Sequence, residues 1–137
     1  MGKHKTNGKS GKKDLANTPV LTGECPAMNK VAFGRLEVFL DFRQANLYLE
    51  TVNQGSSKIL VTTEIDWSWT RILERFEGVV TNQGTRVSRA AEVLTLMKKP
   101  GVLGTKRATE ILRSGTQAHI VCHGNVALVY LVDEKSR

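Results

Sequence analysis

Apolar and polar positions change their rhythm along this chain, and the changes mark out elements. Leu36, Val38, Leu40 and Phe42 alternate with Glu37, Phe39, Asp41 and Arg43, the period of two expected of a half-buried strand. Two further runs, Leu47–Val52 and Lys58–Ile65, flank the turn formers Asn53–Ser57, which predicts a hairpin and so a three-stranded antiparallel meander. From Asp66 the period lengthens. Trp69, Ile72, Leu73, Phe76 and Val80 recur at helical spacing, with Asp66 as N-cap and Asn82-Gln83-Gly84 as the stop. A second helix is expected from Arg86 to Lys98, with Val87, Ala90, Ala91, Leu94 and Met97 as its apolar stripe and Pro100-Gly101 as its end. Thr105 caps a short third helix through Leu112, closed by Gly115. The chain finishes in two β-rich runs, 116–123 and 126–132, around Gly124-Asn125, a two-residue hairpin signal because such turns need positive φ. The predicted fold is α+β: an antiparallel sheet of four to five strands with two to three helices packed on one face.

Residues 1–28 have a different texture. Gly, Lys, Asn, Ser and Thr dominate, interrupted by Pro19 and Pro26, so they read as a flexible basic N-terminal tail ahead of a single α+β domain spanning 29–137. Of the 20 Lys and Arg in the 137 residues, five stand in this tail without an acid before residue 14. Over residues 14–137 the other 15 face 13 acidic side chains, so most of the net charge of +7 belongs to the first 13 residues. A second basic stretch holds Arg86, Arg89, Lys98, Lys99, Lys106, Arg107 and Arg113 against only Glu92 and Glu110. Both stretches are candidate contacts for a polyanionic surface.

The tail carries one motif. Gly2 followed by Thr6 satisfies the N-myristoylation pattern once Met1 is removed. A single acyl chain anchors weakly. Lys3, Lys5, Lys9, Lys12 and Lys13 beside it would each add about 1 kcal/mol near an anionic leaflet, roughly 3–5 kcal/mol together. The same lysines would attract nucleic-acid phosphate equally well. No apolar run is long enough to span a bilayer and no secretory signal is visible.

Other chemistry is sparse. His119, Cys122 and His123 are close in sequence, but on a strand the two histidines point to one face and Cys122 to the other, so the three cannot share an ion. Cys25 and Cys122 read as free thiols rather than a disulfide framework. Trp69 belongs to the core, and Trp67 is read as core or capping packing, with an exposed partner contact as the alternative. Gly101-Val-Leu-Gly104-Thr-Lys106 is only a loose echo of a phosphate loop. No metal site, cofactor or assembled catalytic constellation is recognised, and the chain is read as no enzyme.

In layout, with Gly2, Thr6 and the five tail lysines, the chain resembles the small matrix proteins of enveloped RNA viruses. That resemblance implies a non-enzymatic peripheral membrane and assembly protein. It would lie in the cytoplasm at the inner face of a membrane, or in a virion, bind anionic membrane lipids and RNA or nucleocapsid, and associate with itself as a homo-oligomer. An RNA-binding protein with a basic N-terminal arm is the alternative reading.

Overall fold

The computed structural model describes residues 18–51 and 57–132. Among these residues it is α+β, with five strands and four helices. In chain order these are β1 (Leu21–Val38), α1 (Phe42–Thr51), β2 (Lys58–Thr62), a 3₁₀ turn (Trp67–Trp69), α2 (Thr70–Leu73), β3 (Gly78–Thr81), α3 (Arg89–Met97), β4 (Gly101–Val102), α4 (Ala108–Ile111) and β5 (Gln117–Leu131). The strands lie in the order β4-β3-β2-β1-β5.

The sheet is mixed rather than antiparallel. β1–β2, β2–β3 and β3–β4 pair parallel, and β1–β5 pairs antiparallel. The cause is local: the segment expected to be the second strand of a meander is α1. Asp41 accepts the Gln44 N–H through Oδ1 at 3.0 Å, and Gln44 Oε1 in turn accepts the Leu40 N–H at 2.9 Å. This is a near-reciprocal cap of the kind that starts helices. Ala45 is buried while Tyr48 and Leu49 are half-buried, so the inward face has helical spacing. A helix between two strands carries the chain back to the starting edge, so the second strand runs parallel to the first. The hairpin turn expected at 53–57 falls almost wholly outside the described residues.

The next helix is also shorter than its apolar spacing suggests. Asp66 caps the 3₁₀ turn, accepting the Ser68 N–H at 2.9 Å. Helical structure ends at Leu73, and Val80 belongs to β3. Trp69 is buried and Trp67 exposed.

All five residues of β2 are buried. Ile59 and Val61 enter one apolar cluster, with Leu36, Val80, Val102, Ala118 and Ile120. Leu60 enters the other, with Val79, Trp69, Ile72, Leu73, Phe76, Ala90 and Leu94. A strand covered on both faces reads as an unbroken apolar run, which is the signature of a parallel sheet. The buried residues of α1, α2 and α3 all lie in the second cluster, so these three helices cover one face. Ala108 of α4 lies in the first.

That other face is closed by the sheet itself. The start of β1 returns to the end of β4, with Glu24 N donating to Leu103 O and Leu103 N to Glu24 O, both at 2.8 Å. Pairing of β1 with β5 begins at Leu21↔Val129, so residues 21–28 belong to the folded unit and not to a tail. β5 also doubles back. A straight strand of its length would span about 50 Å, yet Val132 N donates to Gln117 O at 3.0 Å and the His119 and Tyr130 rings stack at 4.9 Å. The fold occurs at Gly124 (φ 66°), the expected hairpin turn.

The double-sided burial of β2 has a measurable consequence. Ile59→Ala and Leu60→Ala each remove a fully buried side chain, on opposite faces. Each should lower stability by about 2–5 kcal/mol in urea denaturation. A negligible loss for either would mean that its face is not packed.

Candidate functional site

Because β1 to β4 run parallel, their carboxyl ends share one edge, and the loops after them gather there. Residues 39–41, 63–66, 82–88 and 103–107 form this rim. In open parallel sheets this is the edge where ligands bind.

Two of the loops are tied into one rigid unit. Thr105 donates to Thr81 O through both its N–H (3.1 Å) and its hydroxyl (2.9 Å), and Thr81 Oγ1 donates to Gln83 O at 2.6 Å. Asn82 forms a two-point pair with Thr109: its Nδ2 donates to Oγ1 at 2.9 Å, and its Oδ1 accepts the Thr109 N–H at 3.0 Å. Gly104 N and Lys106 N donate to Gln83 O and Asn82 O. Gly84 and Gly104 both have positive φ, 110° and 74°, and a Cβ on Gly104 would stand 2.5 Å from the Gly84 carbonyl oxygen. Only glycine fits there.

The turn before α3 is equally fixed. Ser88 Oγ donates to Thr85 O at 2.9 Å and accepts the Thr85 N–H at 3.1 Å, while Arg86 N donates to Glu24 Oε1 at 2.8 Å. With its hydroxyl occupied in this way, Ser88 makes no side-chain cap on the helix it precedes. The first turn of α3 therefore presents its positive end to the rim.

Four cations share this end of the molecule. Arg86 and Arg89 lie at the start of α3, and Lys106 and Arg107 on the loop bonded against it; all four are exposed. The acids nearby offset them little. Glu24 is held by a backbone N–H, and the Arg107–Glu110 pair at 3.1 Å is exposed and weak. Asp66 is pulled below the usual carboxylate range by its Ser68 hydrogen bonds, with a further contribution from the Arg89 charge. Beside this basic half lies a cleft of about 270 Å³ at the ends of β1 and β2, lined by Leu40, Asp41, Phe42, Thr63, Glu64, Asp66 and Trp69. The edge is thus basic on one side and acidic with an aromatic wall on the other.

The fold separates the other basic residues singled out in the sequence. Lys98 and Lys99 are at the far end of α3, where Lys98 (φ 57°) ends the helix and Lys99 Nζ donates to Phe76 O at 2.7 Å. Arg113 follows α4 beside the Ser114–Val38 hydrogen bond. Gly2, Lys3, Lys5, Lys9, Lys12 and Lys13 lie outside the described residues. Cys122 is buried, while His119 and His123 lie on the opposite face of β5. Among the described residues no group of three His, Cys, Asp or Glu is placed to hold an ion. The loop 81–88 went unrecognised because Asn82-Gln83-Gly84 read as a helix stop. In the structure the same residues follow a strand, and the 101–106 glycine segment is the partner loop.

Residues 54–124, just over half of the chain, match the family described as PEP-utilising enzyme, mobile domain. Among curated relatives, a phosphoenolpyruvate synthase from Aquifex aeolicus is 33% identical over 103 residues, 74% of this chain and 11% of the relative. The phosphoenolpyruvate synthase of Neisseria meningitidis is 29% identical over 74% of this chain and 12% of its own length. A probable phosphoenolpyruvate synthase from Staphylothermus marinus is 28% identical over 85% of this chain and 13% of its length. The chain therefore spans only about an eighth of the relatives it matches. In structure, a muramoyltetrapeptide carboxypeptidase from Oxalobacter formigenes aligns over 97% of this chain and 57% of its own, with a TM-score of 0.51 at 12% identity, a likeness of fold alone. The chain belongs to the PEP-utilising enzyme mobile-domain family.

This overturns the matrix-protein resemblance and what it implied: a viral or virion protein, a non-enzymatic assembly role, binding to anionic membrane lipids, RNA or nucleocapsid, and homo-oligomerisation. The alternative of an RNA-binding protein falls with it, and so does the reading as no enzyme, because the family is one of enzymes. The physical reason is plain. A basic tail reports attraction to anions of any kind, whereas the family signal lies in the β2–β5 region, where the parallel strands and their loops are built.

Two expectations follow. Gly104→Ala should cost about 1–3 kcal/mol through backbone strain, visible as a lowered thermal midpoint. The second concerns His119, stacked between Phe33 at 5.0 Å and Tyr130 at 4.9 Å, whose Nδ1 has no hydrogen-bond partner among the described residues. Burial pushes its pKa below 6.5. The unfolded chain therefore takes up the proton first, so stability is complete above pH 6.5 and declines as pH falls through the lower folded value. Thermal midpoints measured between about pH 5 and 8 should show that decline, and His119→Phe should flatten it.

Proposed function

We propose that this chain is the mobile module of a phosphoenolpyruvate-utilising enzyme, and that its basic rim recognises a phosphoryl group. The observation that carries the reading is the joined pair of loops at the start of α3, where an uncapped helix end and four cations converge on one edge. Helix N-termini favour phosphate through their free N–H groups and dipole, and Arg binds phosphate oxygens with two parallel donors. The family match and the phosphoenolpyruvate synthase relatives support a phosphorylated enol acid as the ligand class.

The roles divide by position. Arg89, the first residue of α3, and Arg86 beside it meet the phosphoryl oxygens. Lys106 and Arg107 add charge from the facing loop, while Asn82, Thr105 and Thr109 keep the two loops in register. Such a site contributes orientation and stabilisation of charge spread over the transferring group.

Titration of the full chain with phosphoenolpyruvate, followed by ³¹P NMR and calorimetry, tests this. Arg89→Ala should weaken binding by roughly tenfold or more, the worth of one charge-assisted contact. Lys98→Ala, at the other end of the helix, should leave binding unchanged. Equal affinities for the native chain and Arg89→Ala would overturn the assignment.

A further inference from the structure

Cys25 and Cys122 are 97 positions apart, yet their thiols share one buried compartment. Their exposures are 0% and 2%, and both belong to the cluster enclosed by the curled sheet. Cys25 sits where β1 bends, in the register shift between Glu24 and Met28. Its Sγ donates to Gly124 O at 3.4 Å and lies 3.7 Å from Val126 O, while Asn125 Nδ2 donates to Cys25 O at 3.0 Å. The β1 bend is therefore seated on the tip of the β5 hairpin. Cys122 stands two residues before Gly124 and donates to Gly101 O at 3.3 Å. Each thiol is the other's side-chain neighbour and perturbs its ionisation.

We propose that Cys25 and Cys122 form an internal disulfide under oxidising conditions, clamping the bend of β1 to the hairpin of β5. The oxidant is a small-molecule disulfide of the glutathione class. One cysteine thiolate attacks a sulfur of the oxidised reagent, forming a mixed disulfide and expelling one reduced thiol. The second cysteine attacks the protein sulfur of that intermediate and expels the other. The protein loses two electrons and two protons, and the reagent gains them.

Burial sets the kinetics. It pushes the Cys25 thiol up to about 12, so in the closed fold the thiolate is scarce and the reagent is excluded. The link forms during folding, or when the β5 tip opens. Its effect reaches the rim through Glu24, next to Cys25: Glu24 pairs with Leu103 and holds the Arg86 N–H. The disulfide stands independently of the phosphoryl reading.

The test is refolding of the full chain from denaturant in oxidised glutathione. The expected product is a monomer lighter by two hydrogens. It should have no thiol left to alkylate in denaturant, one peptide joining the Cys25 and Cys122 segments, and a thermal midpoint raised by roughly 10 °C over the reduced form. Cys25→Ser refolded in the same way should leave Cys122 free or capped by glutathione. Two alkylatable thiols in the refolded native chain, only glutathione adducts, or only links between chains would overturn the proposal. So would a linked monomer that melts below the reduced form, because the bridge would then distort the native geometry.

Discussion

The fold depends on β2 being paired in parallel on both sides. Its backbone is buried, so its N–H and C=O groups must be satisfied by β1 and β3, and both of its side-chain faces must be covered. Parallel neighbours require a crossover after each strand, and here each crossover contains a helix. These helices collect on one face. Among the described residues the opposite face receives only the four-residue α4, and the long first and last strands cover the rest by curling, β1 returning to β4 and β5 folding back on itself. Covering both faces of one short strand thus accounts for most of the architecture.

The same constraint places the site. Once four strands run the same way, their carboxyl ends cannot avoid sharing an edge. Loops distant in sequence become hydrogen-bonded neighbours there, as Asn82 and Thr109 show. Gly104 is a consequence of that contact, since its backbone approaches the Gly84 carbonyl too closely for a Cβ. The charges then take opposite sides of the edge, cations around the start of α3 and carboxylates around the cleft by Trp69. Neither half is recognisable from the net charge, most of which comes from the first 13 residues.

Much of the chain's local structure could be read directly. The cap at Asp66, the body of α3 and the turn at Gly124-Asn125 rest on contacts between residues close in sequence, and Trp69 takes the core position that its spacing predicts. The failures share a cause. Residues 47–52 looked like a strand because Leu47 and Leu49 alternate with polar neighbours, but Leu47 is exposed and the Asp41–Gln44 cap decides for a helix. Val80 continued a helical spacing by coincidence and serves a strand. The basic residues at 86–113 looked like one surface, whereas α3 holds its two ends apart.

The order of residues alone determined the α+β class, the cap at Asp66, the final hairpin and the presence of charge in excess, because each follows from backbone preference or from composition. Only the tertiary structure decided the direction of the strands, which cations meet and which part, and that two distant cysteines share one buried cluster. Those outcomes come from long-range pairing and from closure of the sheet, and no local pattern encodes the partner across a sheet.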